Sequence, residues 1–173
     1  MPTNDHPVWE VYDLLRTCRL NVKYWSARVL RLRRQNFWLE YGLMATAPGS
    51  AVAGLVFWST SYGKGVWAVL TTVAAFLAVA KPLLRLSDRL SQLQNVVVKY
   101  RLIDCRLEAL TNDIRREDRY SGDLVASFKN LRAQVAETSK DEPVENIDDG
   151  LRRTFYEEVK DELPATFFYE PSK

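Results

Sequence analysis

The chain has 173 residues, with 24 Lys and Arg against 22 Asp and Glu and a formal net charge of +2. Those charges form a gradient: residues 1–40 hold seven basic and four acidic groups, 41–80 hold Lys64 alone, 81–120 hold nine basic against six acidic, and 121–173 hold seven against twelve. A charge-free middle with basic flanks and an acidic tail excludes a uniformly basic nucleic-acid coat and a disordered polyampholyte, and it is unlike a plain soluble globule.

Cysteine and histidine exclude further classes. Cys18 and Cys105 are isolated, so they make neither a disulfide framework nor a zinc site. His6 is the one histidine and sits in a Pro-flanked N-terminal tail. A Ser-His-Asp or Cys-His arrangement would depend on it. No catalytic residue, metal ligand or cofactor is assigned, and the chain reads as a non-enzyme.

Residues 1–39 read as a cytoplasmic, basic, amphipathic helical segment. Over Val8–Trp38, an apolar stripe of Val11, Leu14, Leu15, Cys18, Val22 and Trp25 leaves Arg16, Arg19 and Lys23 to one side.

Residues 40–84 read as a two-helix transmembrane hairpin. Tyr41–Gly63 contains 23 residues without Asp, Glu, Lys or Arg. About 20 residues at ~1.5 Å each cross ~30 Å of hydrocarbon. Gly65–Ala80 is uncharged for 16 residues. It reaches spanning length when Lys81 snorkels and Pro82, Leu83 and Leu84 count as interface. Trp38 and Tyr41 mark one end, and Trp58, Tyr62 and Trp67 the other, as aromatic rings at headgroup level do. Basic residues before and after the hairpin (Arg28, Arg31, Arg33, Arg34, then Lys81, Arg85, Arg89) place both termini in the cytoplasm.

Within the spans, small residues Ala45, Gly49 and Ala53 recur every four positions, which suits packing within one hairpin or between subunits. Pro48 introduces either a static bend or a hinge. The mid-span hydroxyls Thr46, Ser50, Thr71 and Thr72 line a water path or bond their own backbone. Leu55 and Phe76 are the candidate apolar gate. Glu40 and Lys81 bracket the hairpin on one side. They form a salt bridge or, in an oligomer, ring the pore mouth. The absence of a mid-span ionisable group argues against a proton relay, a coupled transporter or a voltage sensor.

Residues 85–140 read as a long cytoplasmic helix and a helical return. Leu83, Leu86, Leu90, Leu93, Val97, Tyr100, Ile103, Leu107, Leu110 and Ile114 are spaced three or four apart, a heptad-like seam. Tyr120–Asp123 is the expected break, followed by a helix carrying Leu124, Phe128, Leu131 and Val135. Residues 141–173 read as an acidic linker (141–150), a short helix marked by Leu151, Phe155, Val159 and Leu163 and stopped by Pro164, and a tail with Phe167, Phe168 and Tyr169. The tail either docks on a neighbouring helix or stays loose.

The fold expected is therefore all-α: a membrane hairpin with long cytoplasmic helices forming an oligomeric helical bundle. The mixed seam does not specify the order of the homo-oligomer, for which a tetramer is taken as the working expectation. The basic residues near the spans suit anionic lipid headgroups or phosphate. Lys99, Arg101, Arg106, Arg115, Arg116 and Arg119, farther away, are either an ordinary solvated face or phosphate ligands, with Tyr100 or Tyr120 stacking on a base.

A basic N-terminal helix, the Tyr24–Arg34 segment entering Trp38–Tyr62, and Lys81-Pro82-Leu83-Leu84 leading into the Leu86–Ile114 helix together resemble the SLATT family, two-span effectors of prokaryotic conflict systems. Its Hailong-type members have the most similar layout. The resemblance spans roughly Val8 to Leu163 and rests on architecture. It implies an oligomeric, pore-forming anti-phage effector that depolarises the membrane under control of a cyclic or linear oligonucleotide from a co-encoded nucleotidyltransferase, with no role for duplex nucleic acid. The other reading is a hairpin-anchored coiled-coil scaffold that recruits a soluble partner to the membrane.

Overall fold

The computed structural model describes residues 6–46, 62, 65, 68–69, 71–76, 79, 86–143 and 147–171. Every element among them is helical: α1 (Val8–Thr46), α2 (Leu86–Glu117), α3 (Gly122–Lys140), α4 (Asp149–Glu162) and a 3-10 turn, Ala165–Phe167. The all-α expectation holds for these residues. Two compact units divide the chain, one of residues 1–28 and 92–173, the other of residues 29–91.

The first unit has a core built on most of the anticipated positions, with Leu14 and Val22 of the α1 stripe and Val135 of the α3 stripe only half-buried. On α1, Val8, Val11, Tyr12, Leu15, Cys18, Tyr24 and Trp25 are buried. The α2 seam from Leu93 through Val97, Tyr100, Ile103, Leu107, Leu110 and Ile114 is buried as well, joined by Val96. Leu124, Phe128 and Leu131 of α3 and Val159 of α4 complete the core. Residues three and four apart share a helix face, so each stripe removes a continuous apolar surface from water.

The seam expected to join subunits thus has intramolecular cover. The return helices and the start of α1 carry enough apolar area to bury it within one chain. Polar links cross the same junctions. Arg19 Nε binds Asp104 at 2.9 Å and its Nη2 pairs with Glu108, tying α1 to α2. Arg106 donates to Gln134 on α3 at 3.0 Å. Cys18 lies wholly inside, where burial, reinforced by Asp104, pushes its thiol up to about 12. It is a small core side chain and not a nucleophile.

The helix ends follow local chemistry. After α2, Asp118 takes a left-handed conformation with φ of 50°, which a short polar side chain tolerates. Ser121 precedes α3 in an extended conformation, so the break falls at the expected place. Asp148 caps α4, accepting the Leu151 N–H at 3.1 Å and offsetting one unpaired amide of the first turn. Pro164 follows Leu163, and the chain passes into the 3-10 turn.

In the second unit, α1 continues without interruption across residue 39, since Pro48 is the next helix breaker. Phe37, Trp38 and Tyr41 sit on adjacent turns with ring centroids 5.8–6.2 Å apart, all three exposed. Residues 71–76 are helical. Tyr62, Val69, Val73, Phe76 and Val79 are also exposed, as are Leu30 and Met44. No helix among the described residues is long and apolar enough to cross a membrane. Most of the two expected spans, including Pro48, Ser50, Leu55 and Lys81, lies outside the described residues.

Candidate functional site

A densely built polar site of the first unit lies where the C-terminal segment crosses α1 and α2. Three successive turns of α1 present Trp9, Tyr12 and Arg16 to it. The Phe168 ring stacks on Tyr12 with centroids 4.1 Å apart and an interplanar angle of 18°. Trp9 meets Phe168 edge-on at 6.0 Å, and the Arg16 guanidinium lies 4.7 Å over the same ring. Such offset and edge contacts suit the quadrupoles of aromatic rings.

Backbone bonds hold the segment in register. Arg16 donates from Nε and Nη2 to the Leu163 carbonyl at 3.0 and 2.6 Å. The Tyr12 hydroxyl donates to the Tyr169 carbonyl at 2.6 Å and accepts the Tyr169 N–H at 3.1 Å. Arg115 Nη2 donates to the Phe167 carbonyl at 2.8 Å. Tyr169 donates its phenol proton to Asp118, and Trp9 donates to Glu170 at 3.3 Å. The aromatic tail therefore docks on its neighbours.

Beneath the segment is a cleft of about 280 Å³. Glu108, Thr111, Asn112 and Arg115 of α2 form one wall, Tyr12 and Leu15 of α1 another, and Phe167 and Phe168 the cover. The surrounding cations differ in their partners. Arg19 is matched by Asp104 and Glu108, and Lys23 by Glu158 and Glu162 at 2.7 and 2.6 Å. For Arg16 and Arg115 the hydrogen-bond acceptors are neutral carbonyl oxygens. The cleft therefore combines an aromatic platform, the Arg115 guanidinium, whose hydrogen bond among the described residues goes to a neutral carbonyl, and the polar edges of Thr111, Asn112 and Glu108. That set can hold a flat ring joined to an anion.

Alkaline release of the segment follows from three groups. Burial pushes the Tyr12 phenol up, against the opposing effects of its Tyr169 backbone bond and Arg115. The hydrogen bond to Asp118 raises Tyr169. Burial lowers Lys23, but its bonds to Glu158 and Glu162 outweigh that and raise it. Each docked form binds its proton more tightly than the free form. Docking therefore keeps full strength below the ordinary values of 10.0 for tyrosine and 10.5 for lysine, and is lost as pH rises through the raised values. A near-ultraviolet circular dichroism titration of the Trp9–Tyr12–Phe168 cluster should stay flat from neutral pH to about 9 and collapse above about 10. A midpoint near neutrality would assign control to other groups.

The six cations singled out from the sequence do not converge. Lys99 pairs with Asp141 at 2.6 Å and Arg106 bonds Gln134, both on the α3 side. Arg101 reaches Ser26 on α1 at 3.5 Å. Arg116 pairs with Asp113 and Arg119 with Glu117. Arg115 alone of the six lines the cleft. Tyr100 is corrected as a base-stacking candidate, because its ring is 1% exposed and its hydroxyl donates to Glu142 at 2.6 Å. Tyr120 is half-buried and outside the cleft lining. Tyr12, Arg16 and Asn112 escaped the sequence reading. The aromatic run at 167–169 was the available signal, without an indication of which turn of α1 receives it.

Among the expected pore residues, the Thr71 and Thr72 hydroxyls both donate to the Ala68 carbonyl, at 3.0 and 2.8 Å. Phe76 is exposed, and Thr46 is the last residue of α1. Glu40 accepts a bond from Asn36 at 3.3 Å. Its expected partner Lys81 lies outside the described residues, as do Ser50 and Leu55. No protein family, curated protein or solved structure matches the chain.

Proposed function

We propose that this chain is a non-enzymatic, oligomeric membrane effector of the SLATT type. In this reading it forms a pore in the bacterial inner membrane with both termini in the cytoplasm. A cyclic or linear oligonucleotide made by a partner nucleotidyltransferase shifts the balance between open and closed states. The observation that carries the membrane reading is the apolar surface of the second unit. Leu30, Phe37, Trp38, Tyr41, Met44, Tyr62, Val69, Val73, Phe76 and Val79 are all exposed there. They flank or belong to a stretch in which residues 41–80 hold one charge, Lys64. Exposed apolar side chains in and around a nearly charge-free stretch suit contact with lipid or another protein, and aromatic rings favour the headgroup level.

Copies associate through the spans, with Thr46, Ser50, Thr71 and Thr72 lining the path, Leu55 and Phe76 narrowing it, and Glu40 and Lys81 at its mouth. The buried α2 seam takes no part in subunit contact. A ligand acts by binding one state better than the other. Purified protein in a planar bilayer should give discrete conductance that short oligonucleotides or cyclic nucleotides raise or suppress. Protein that is inserted and folded yet silent under every addition would refute the pore. The second reading is then the membrane-anchored scaffold, favoured by the exposed Val98 and Leu102 on the outer face of α2 as a partner surface.

A further inference from the structure

We propose that the C-terminal segment Leu163–Glu170 is an internal plug in the nucleotide site, and that the nucleobase takes the place of Phe168 on Tyr12. This rests on the nucleotide-gated reading above and assigns it a location and a regulatory device. The segment already presents what a nucleotide presents: one flat ring stacked on Tyr12 at 4.1 Å, and oxygen atoms in the hydrogen bonds of Arg16 and Arg115. Those oxygens are neutral carbonyls. A phosphate in the cleft offers the Arg115 guanidinium charged oxygens, and charge-assisted bonds are shorter and stronger than neutral ones. Exchange of plug for ligand therefore strengthens the Arg115 contact and replaces one stacked ring by another, while Arg16 keeps its bonds to the Leu163 carbonyl at the tether. Once Phe167 and Phe168 leave, the adjoining cleft is open to the ligand, with Asn112, Thr111 and Glu108 at its base-edge wall.

Two features make the plug displaceable without unfolding the unit. Its ring contacts and its backbone bonds reach the first turns of α1 and the end of α2, while Leu107, Ile103 and Tyr100 of the core are not among the residues that line the cleft. Leu163 and the α4 pairs with Lys23 anchor its base, so it leaves as a tethered flap. A tethered competitor lowers apparent affinity by the fraction of molecules in the open form, which sets a concentration threshold for the signal.

The test uses the full detergent-solubilised chain, 5′-phosphorylated trinucleotides of each base and cyclic dinucleotides as probes, with the free nucleosides and inorganic phosphate as controls. Phe168→Ala weakens the plug and should tighten probe binding by roughly 3- to 10-fold. Arg115→Ala should weaken it roughly tenfold or more. In the wild type, saturating probe should speed hydrogen exchange at the Tyr169 amide, which the Tyr12 hydroxyl protects in the plugged state. A probe that binds and alters conductance, yet leaves exchange at 165–170 unchanged and binds Phe168→Ala no tighter, overturns the plug while the gated pore stands. A panel that binds neither wild type nor Phe168→Ala overturns the plug and the nucleotide reading together. Binding confined to Phe168→Ala supports the plug in its strongest form.

Discussion

Leu107→Ala is expected to destabilise the first unit by about 3 kcal/mol, within the range found for buried leucines. Leu107 is fully buried at the centre of the α2 seam. Truncation removes the transfer energy of three carbon atoms and leaves a cavity that the neighbouring α2 side chains Ile103 and Leu110 cannot close without leaving their rotamers. Leu102, on the outer face of the same helix, is 52% exposed and serves as the control. Leu102→Ala should change stability by no more than about 0.5 kcal/mol. Denaturant unfolding of both variants, followed by tryptophan fluorescence, checks the contrast. Equal small losses would mean that the seam is covered by another molecule and not by its own chain.

Removing the Glu142 carboxylate should produce the second large loss. Its Oε1 accepts the Tyr100 hydroxyl at 2.6 Å and the Trp25 indole N–H at 3.2 Å, joining α2 and α1 to the end of α3. Both donors belong to buried side chains. Glu142→Ala strands them without an acceptor, at a cost of about 2–3 kcal/mol. Glu142→Gln retains a carbonyl oxygen and should recover most of that. Tyr100→Phe removes a donor instead, and the half-buried carboxylate it leaves can be hydrated. Its loss should be nearer 1 kcal/mol. A double-mutant cycle of Glu142→Ala with Tyr100→Phe should show coupling, since the two share one bond. Independent, additive losses would place the energy in packing alone.

These two residues mark the boundary of what a linear reading can reach. The sequence by itself determined the helical class, the α2 seam, the break near Ser121, the α3 stripe and the stop at Pro164. Each depends on local rules: apolar spacing, proline and turn chemistry act within a few residues. The hydrophobic effect is also non-directional, so a stripe predicts its own burial without naming its partner. That is why Leu107 was legible and its cover was not. The heptad spacing suited a neighbouring subunit equally well, and only the return of α3 and α4 decided for the chain itself.

Hydrogen bonds are directional, and their partners here are far apart in sequence. Glu142 reads as one acid in an acidic linker until the fold brings Trp25 and Tyr100 to it, 117 and 42 residues away. Tyr12 reads as part of an amphipathic helix until Phe168 and Tyr169 arrive from the other end of the chain. The same geometry scattered the six basic residues between Lys99 and Arg119 over separate surfaces and left Arg115 alone of them at the cleft. Charge and residue type identified the candidates for anion binding. Only the tertiary structure selected among them, because a site needs its groups to converge within hydrogen-bond reach, and convergence belongs to the packing of helices and not to their order.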